Sequence, residues 1–329
     1  MATTLTPAEA LILENLGGRR WTTKRLTPAA VRQAKSTWGD LRTAAGFSRS
    51  GGWLTTNATN PKLGKAGVPT IGVTTHAATN ALPVWKGLTL PEQQAFARAL
   101  RLDVDDIAVG LARTVCARST AGCRGGCVVA HSMNGRNARS LRARLARHLF
   151  LMFRPADAFA LTAHELEKRQ AKFGRRGARW RVNVSDDLRL ELLAPGLFSV
   201  APRAYTYTKF SPSERPGRGD FRIVYSASER TTDAEIVAWC NDGHRVAVVF
   251  DVKMGRPLPA TWNGTPVVDG DITDDLWVHP AGAIVGLRAK GTLAVRNMMR
   301  ARGFSRPATP VTGTVVAFPV VPSATPLAA

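Results

Sequence analysis

Apolar positions recur along this chain with two different spacings, and the change between them divides it. Over residues 1–52 the spacing is helical. Thr6 to Leu16 reads as a short amphipathic helix, with Pro7 suited to a first turn. Thr27-Pro28 opens a second helix to about Ala45, with Val31, Ala34, Trp38 and Leu41 on one face, before the break Gly46 to Gly52. Arg32, Lys35 and Arg42 share its polar face, so a DNA-binding helix pair stands as the alternative to helices packed on a larger domain. From Trp53 to Leu82, Thr, Asn, Gly and Val dominate and predict short strands and loops. Leu90-Pro91-Glu92 starts a helix to Leu102. Asn134 to Phe153 carries the apolar stripe Leu141, Leu145, Leu149, Met152 and Phe153 of another helix. Pro155 restarts the pattern, which runs to a break at Gly174.

Beyond Ala178 strands and helices alternate. Strands are expected at 179–184, 203–208, 221–226, 245–252, 267–269 and 284–287, with helices from Leu188 to Leu193 and from an Asp233 cap through Cys240. Such alternation implies right-handed crossovers and mainly parallel strands. The expected fold class is α/β: a (β/α) barrel-like core, complete or incomplete, with N-terminal helical additions. Three segments follow: 1–52 helical, 53–305 the core, and 306–329 a Pro-rich tail. Strands end in Asp187, Lys209, Ser226, Ser228, Asp251, Asp269 and Asp271, and parallel strands present their carboxyl ends on one face, where sites are built.

Composition narrows the function classes. With 329 residues and 44% hydrophobic content the chain can bury a substantial core. No apolar run approaches the roughly 20 residues of a membrane span. Met1 to Gly18 holds Glu9 and Glu14 and no basic residue, so it is not a secretory signal. A soluble, cytoplasmic protein is expected. Lys and Arg number 45 against 24 Asp and Glu, a formal charge of +21, which attracts nucleic acid or a nucleotide unless the chain is merely basic throughout. Between Asn134 and Arg181 there are 13 Lys or Arg and 3 Asp or Glu, and Arg139, Arg142 and Arg147 are candidate anion contacts. Arg288 and Lys290, after the last strand, are two more. Neither a Gly-rich loop ending in Lys-Ser/Thr nor a Gly-x-Ser-x-Gly elbow occurs.

The densest chemistry lies in Cys116-Ala117-Arg118-Ser119-Thr120-Ala121-Gly122-Cys123-Arg124-Gly125-Gly126-Cys127, which holds three of the four cysteines. Thiolates select zinc or iron–sulfur clusters over hard cations, and a bunched set in a long chain suggests metal rather than a disulfide framework. Glycines between them would allow the φ > 0 turns of a tight loop. His131 makes a Cys3His zinc site available, in which case the chain would be a basic nucleic-acid-binding protein without catalysis. The bland alternative is small buried cysteines that happen to cluster. Cys240, distant in sequence, reads as core packing.

The spacing Cys116…Cys123…Cys127, followed by an Asn- and Arg-containing helix and a strand ending Val184-Ser185-Asp186-Asp187, resembles the phage-encoded gene product 88 group over roughly Trp53 to Gly303. That group looks like an outlying branch of the radical S-adenosylmethionine superfamily, with a (β/α) barrel and an iron–sulfur loop near the front. The resemblance implies a 4Fe–4S cluster on Cys116, Cys123 and Cys127, with one iron open to S-adenosylmethionine. It implies that Asp187 holds the cofactor's amino group, with Ser185 beside it, and that the protein works in a host cytoplasm. The spacing is longer than the superfamily's Cys-x3-Cys-x2-Cys, and Asp186 stands where relatives carry Gly. Val278 to Gly291 has no cysteine, so a second cluster is not expected.

Overall fold

A computed structural model describes residues 4–56, 63, 68–76, 81–127, 137–201, 203–217, 219–273 and 275–308. Its helices are α1 (Pro7–Asn15), α2 (Pro28–Ala44), α3 (Ala81–Lys86), α4 (Leu90–Leu100), α5 (Val104–Leu111), α6 (Ala121–Gly125), α7 (Ala138–Phe153), α8 (Pro155–Gly177), α9 (Leu190–Leu193), α10 (Gly196–Val200), α11 (Asp233–Asn241) and α12 (Leu293–Ala301). Its strands are β1 (Thr55–Thr56), β2 (Thr70–Val73), β3 (Arg179–Asn183), β4 (Arg203–Thr208), β5 (Arg222–Ser226), β6 (Arg245–Phe250), β7 (Thr261–Trp262), β8 (Thr265–Asp269) and β9 (Ile284–Arg288).

The strands form one sheet in the order β1-β2-β3-β4-β5-β6-β9-β8-β7. All neighbours from β2 to β8 run parallel, and only β1 and β7 at the two ends are antiparallel. The architecture is therefore mixed α/β with a mostly parallel sheet, the class expected. Among the described residues the sheet is an open row of strands, with no pairing that joins its two ends. β7 and β8 form a hairpin turning on Asn263 (φ 47°) and Gly264 (φ +76°), the pair that a tight two-residue turn with both φ positive demands.

Local sequence signals explain most boundaries. Thr6 caps α1, and Glu9 completes a capping box while Pro7 fills the first turn. Thr89 with Glu92 and Thr232 with Glu235 do the same for α4 and α11. The cap of α11 is thus Thr232, one residue before Asp233, because its hydroxyl accepts the Glu235 amide. Gly174 interrupts α8 with φ 71°, where the break was expected. The segment Ala121–Gly125 and the stretches of α5 and α12 are helices that the apolar pattern alone did not predict.

One hydrophobic cluster joins the N-terminal helices to the rest: Ala8, Ile12, Trp38 and Leu41 lie with Phe150, Leu161, Trp180 and Tyr225. Within it Trp38, Trp53 and Phe150 pack ring against ring, with centroids 5.0–5.6 Å apart. A buried ion pair adds a polar bolt. Glu9, fully buried, accepts from Arg189 backbone N (2.9 Å), Nε (3.0 Å) and Nη2 (2.6 Å), and from the Thr6 amide (2.8 Å). Burial alone would raise the Glu9 carboxyl, but Arg189 and the backbone donors hold it below its usual range.

The opposite edge of the sheet has its own order. β3, β4, β5 and β6 each begin with an arginine. Arg179, Arg203 and Arg222 stand over the Trp277 ring at 4.5, 5.4 and 5.0 Å. Arg179 also pairs with Asp275, while Arg222 and Arg245 donate to the carbonyls of Leu276 and His279. Segment 275–279 thereby closes the amino edge of the sheet, leaving the carboxyl edge for chemistry.

Removing one partner of a buried pair strands the other charge, at a cost of about 3–5 kcal/mol. Glu9→Leu is therefore expected to lower the urea midpoint sharply, whereas Asp40→Ala, which frees the exposed Arg49, leaves it nearly unchanged. Equal midpoints for wild type and Glu9→Leu would overturn this account.

Candidate functional site

The loop between α5 and α6 and the turn after β3 meet at the carboxyl ends of the strands. The Asp187 amide donates to the Val115 carbonyl (2.9 Å), and the Cys116 thiol lies 3.8 Å from the Ser185 carbonyl oxygen. Cys116, Cys123 and Cys127 thereby line one cleft of about 170 Å³, together with Arg124, residues 183–187, Lys209 and Ser226. All three cysteines are partly exposed and none is in a disulfide; Cys240 is buried among α11 and β6 residues, with its thiol pushed up to about 11 by burial. Burial raises the Cys123 thiol as well; the Lys209 ammonium opposes that rise, and Cys127 adds to it.

No group of three Cys, His, Asp or Glu stands at single-ion ligand distances among the described residues, and His131 lies outside them. Thiolates on a cluster bind different irons and surround a body larger than one ion. The three cysteines lining this cleft are donors of the type that such a group takes.

The glycines of this loop do a different job from the one expected. None of Gly122, Gly125 and Gly126 has positive φ. They permit close approach instead. A Cβ on Gly122 would come within 2.7 Å of Phe304 Cβ, one on Gly125 within 2.6 Å of Met298 Cε, and one on Gly126 within 2.4 Å of Met299 Sδ. The loop is thus pressed against α12. It is also held from the β5–α11 connection, where the Glu229 carboxylate accepts from Thr120 Oγ1 and the Gly122 amide, both at 2.6 Å. Burial would raise Glu229, yet these donors hold it low.

The strand-end turn is saturated with protein donors. Ser185 Oγ donates to the Thr75 carbonyl (2.8 Å). Asp186 accepts from Thr75 Oγ1 (2.8 Å), Asn183 Nδ2 and the Leu188 amide, so this acid knits the turn together. Asp187 accepts from Thr208 Oγ1 (2.7 Å), the Lys209 amide (2.7 Å) and Arg215 Nη1 (3.0 Å). Burial nonetheless pushes Asp187 up to about 6, against the pull of Arg215. Lys209 Nζ donates to the carbonyls of Ser226 (3.3 Å) and Ala227 (2.9 Å) beside Cys123.

The basic candidates are spent mostly on the chain itself. Arg139 stands over Phe47, Arg142 pairs with Glu92, and Arg147 donates to the Trp53 and Ala143 carbonyls. Arg288 grips Asp269 (2.7 Å) and Asp271 (3.2 Å), and Lys290 pairs with Asp271 (2.7 Å). Arg215 and Glu229, which hold the site, carried no sequence signal. Each sits in a polar loop and finds its partners only through the fold.

Two outcomes test this geometry. Glu229→Gln, which keeps one acceptor and loses the charge, weakens the clasp by about 1.5 kcal/mol or more, so Cys123 should alkylate on the order of tenfold faster. An unchanged rate removes Glu229 from this role. The raised pKa of Asp187 means that its contribution to stability is complete below the unfolded value of 3.8 and lost as pH rises through about 6. The difference in urea midpoint, wild type minus Asp187→Asn, should therefore fall between pH 4 and pH 7; a pH-independent difference contradicts it.

No curated protein and no solved structure matches the chain. No helix among the described residues is long and apolar enough to cross a membrane. A family model does match, that of gene product 88, over residues 53–305. This span takes in the cysteine loop, the strand-end turn and every strand of the sheet, and the chain belongs to the gene product 88 family.

Proposed function

We propose that the cleft is an iron–sulfur site of radical S-adenosylmethionine-like type, carried on an incomplete (β/α) barrel. Cys116, Cys123 and Cys127 would hold a 4Fe–4S cluster. The observation that carries this reading is that these three thiols, and not Cys240, line one cleft at the carboxyl ends of parallel strands. The group would supply electron transfer and, through an iron left open, a seat for the amino and carboxylate groups of S-adenosylmethionine.

The chain's own residues have definite tasks around it. Lys209 sets a positive charge against the negative charge that three thiolates gather, and its ammonium is fixed by two carbonyls. Met298, Met299 and Phe304 close the loop's far side against water. Glu229 keeps α6 in register with β5. Ser185 and Asp187 shape the cleft wall; with their side chains engaged by Thr75, Thr208, Lys209 and Arg215, they support a bound cofactor through the form of the turn. Nucleic acid or a nucleotide as the substrate class rests on the charge of +21.

Anaerobic reconstitution followed by absorption spectroscopy and iron determination tests the proposal. The wild type should turn brown and bind iron. Cys116→Ala, Cys123→Ala and Cys127→Ala should each lose most of that iron, and Cys240→Ala should retain it. A colourless protein that takes up stoichiometric zinc, or equal iron loss in all four variants, overturns the assignment.

A further inference from the structure

Away from the cysteine cleft, α2 and α8 flank a second cavity of about 590 Å³ whose lining shares no residue with the first. Its wall includes Lys35 and Trp38 from α2, the loop 49–52, and His164, Glu165 and Lys168 from α8. Lys35 and Lys168 are exposed, and neither forms a salt bridge among the described residues. His164 Nε2 is buried without a hydrogen-bond partner, and both lysines act on this imidazole electrostatically, so all three groups are close together.

Further cations stand behind the wall. The Arg42 guanidinium lies directly beneath Gly51, where a Cβ would come within 2.4 Å of its Cζ. Arg147 lies under Trp38, and burial, with Arg42 acting in the same direction, pulls it down to about 10. Arg49 lines the cavity and pairs with Asp40. Glu165 is the sole carboxylate among the described residues of the lining, and both its oxygens already accept backbone N–H groups, from Trp53 (2.8 Å) and Leu54 (3.0 Å). Positive charge here is concentrated, poorly neutralised and open to solvent on one side.

We propose that this cavity is an oxyanion site that takes a phosphate group, with Lys35 and Lys168 as charge contacts and His164 Nε2 as a further polar contact. The same chemistry is offered by a small phosphate compound and by the backbone of a polynucleotide. A roomy, solvent-open cavity lined by flexible lysines suits a phosphate without reading its attached base, so binding to a polynucleotide would show little sequence preference. The site rests on none of the cluster residues.

The test uses the full chain and two probes at low salt: inorganic phosphate by calorimetry, and a short fluorescein-labelled oligodeoxynucleotide by anisotropy. Lys35→Gln/Lys168→Gln should weaken binding of the responding probe about tenfold or more. If that probe is the oligonucleotide, its salt slope should fall by about two units, roughly one for each phosphate contact removed. Lys24→Gln/Lys253→Gln removes the same charge elsewhere on the surface and should leave affinity within about twofold. Response to the oligonucleotide alone identifies a polymer backbone as the source; response to phosphate identifies a small ligand; either supports the site. Absence of wild-type binding to both probes, or equal effects of the two double variants, overturns it. Circular dichroism and iron content, unchanged in both variants, separate this outcome from a failure of folding or of the cluster reading.

Discussion

Arg215 is the interaction on which the carboxyl edge of the sheet depends. Only 1% exposed, its guanidinium donates to Asp187 (3.0 Å), to both oxygens of Glu191 (2.7 and 2.8 Å), to Asn183 Oδ1 (3.2 Å) and to the Leu188 carbonyl (3.2 Å). Its own carbonyl accepts the Tyr225 hydroxyl (2.9 Å). One residue therefore ties the end of β3, the turn after it and α9, through its side chain, to β5, through its carbonyl. A guanidinium can do this because its donors lie in a rigid planar fork, and each of its three nitrogens meets here an oxygen that would itself be costly to bury unpaired. Without it, Asp186, Asp187 and Glu191 would crowd three carboxylates into one buried place.

The cysteine loop inherits its position from that unit. Asp187 carries the Arg215 network to the Val115 carbonyl, and Val115 immediately precedes Cys116. From the other side Glu229 and α12 press on α6, and glycines admit the contact. The loop is thus clamped between two independent supports. Contacts from outside the loop hold it in place, and this is how three cysteines of one short segment come to line one cleft.

Charge is distributed with the same economy. The excess of 21 positive charges suggests a broad polyanion-binding face, but many arginines answer architectural needs. Arg179, Arg203 and Arg222 order the amino edge around Trp277, Arg189 anchors α1 through Glu9, and Arg288 fixes the end of β9 through Asp269 and Asp271. Lys35 and Lys168, which form no salt bridge among the described residues, stand between α2 and α8 rather than on α7, where the density of arginines is highest in sequence. Arg142 and Arg147 on that helix are turned to Glu92 and to backbone carbonyls.

The sequence by itself determined the α/β class, the mostly parallel order and the course of the longer helices, because these follow from period, capping hydroxyls and alternation, which act over a few neighbouring residues. Thr6, Thr27 and Gly174 are of this kind. It also singled out the three cysteines, since bunching is visible in one dimension. Only the tertiary structure decided what the glycines between them are for, which carboxylate clasps the loop, and that Asp186 and Asp187 face inward to protein donors. It also decided which basic residues are already paired. Arg118 meets Glu214, Arg179 meets Asp275, and Arg189 meets Glu9 across separations in sequence that no local pattern encodes. A charge in sequence has a sign but no partner, and its availability to a ligand is settled only when the fold brings, or fails to bring, an opposite charge within reach.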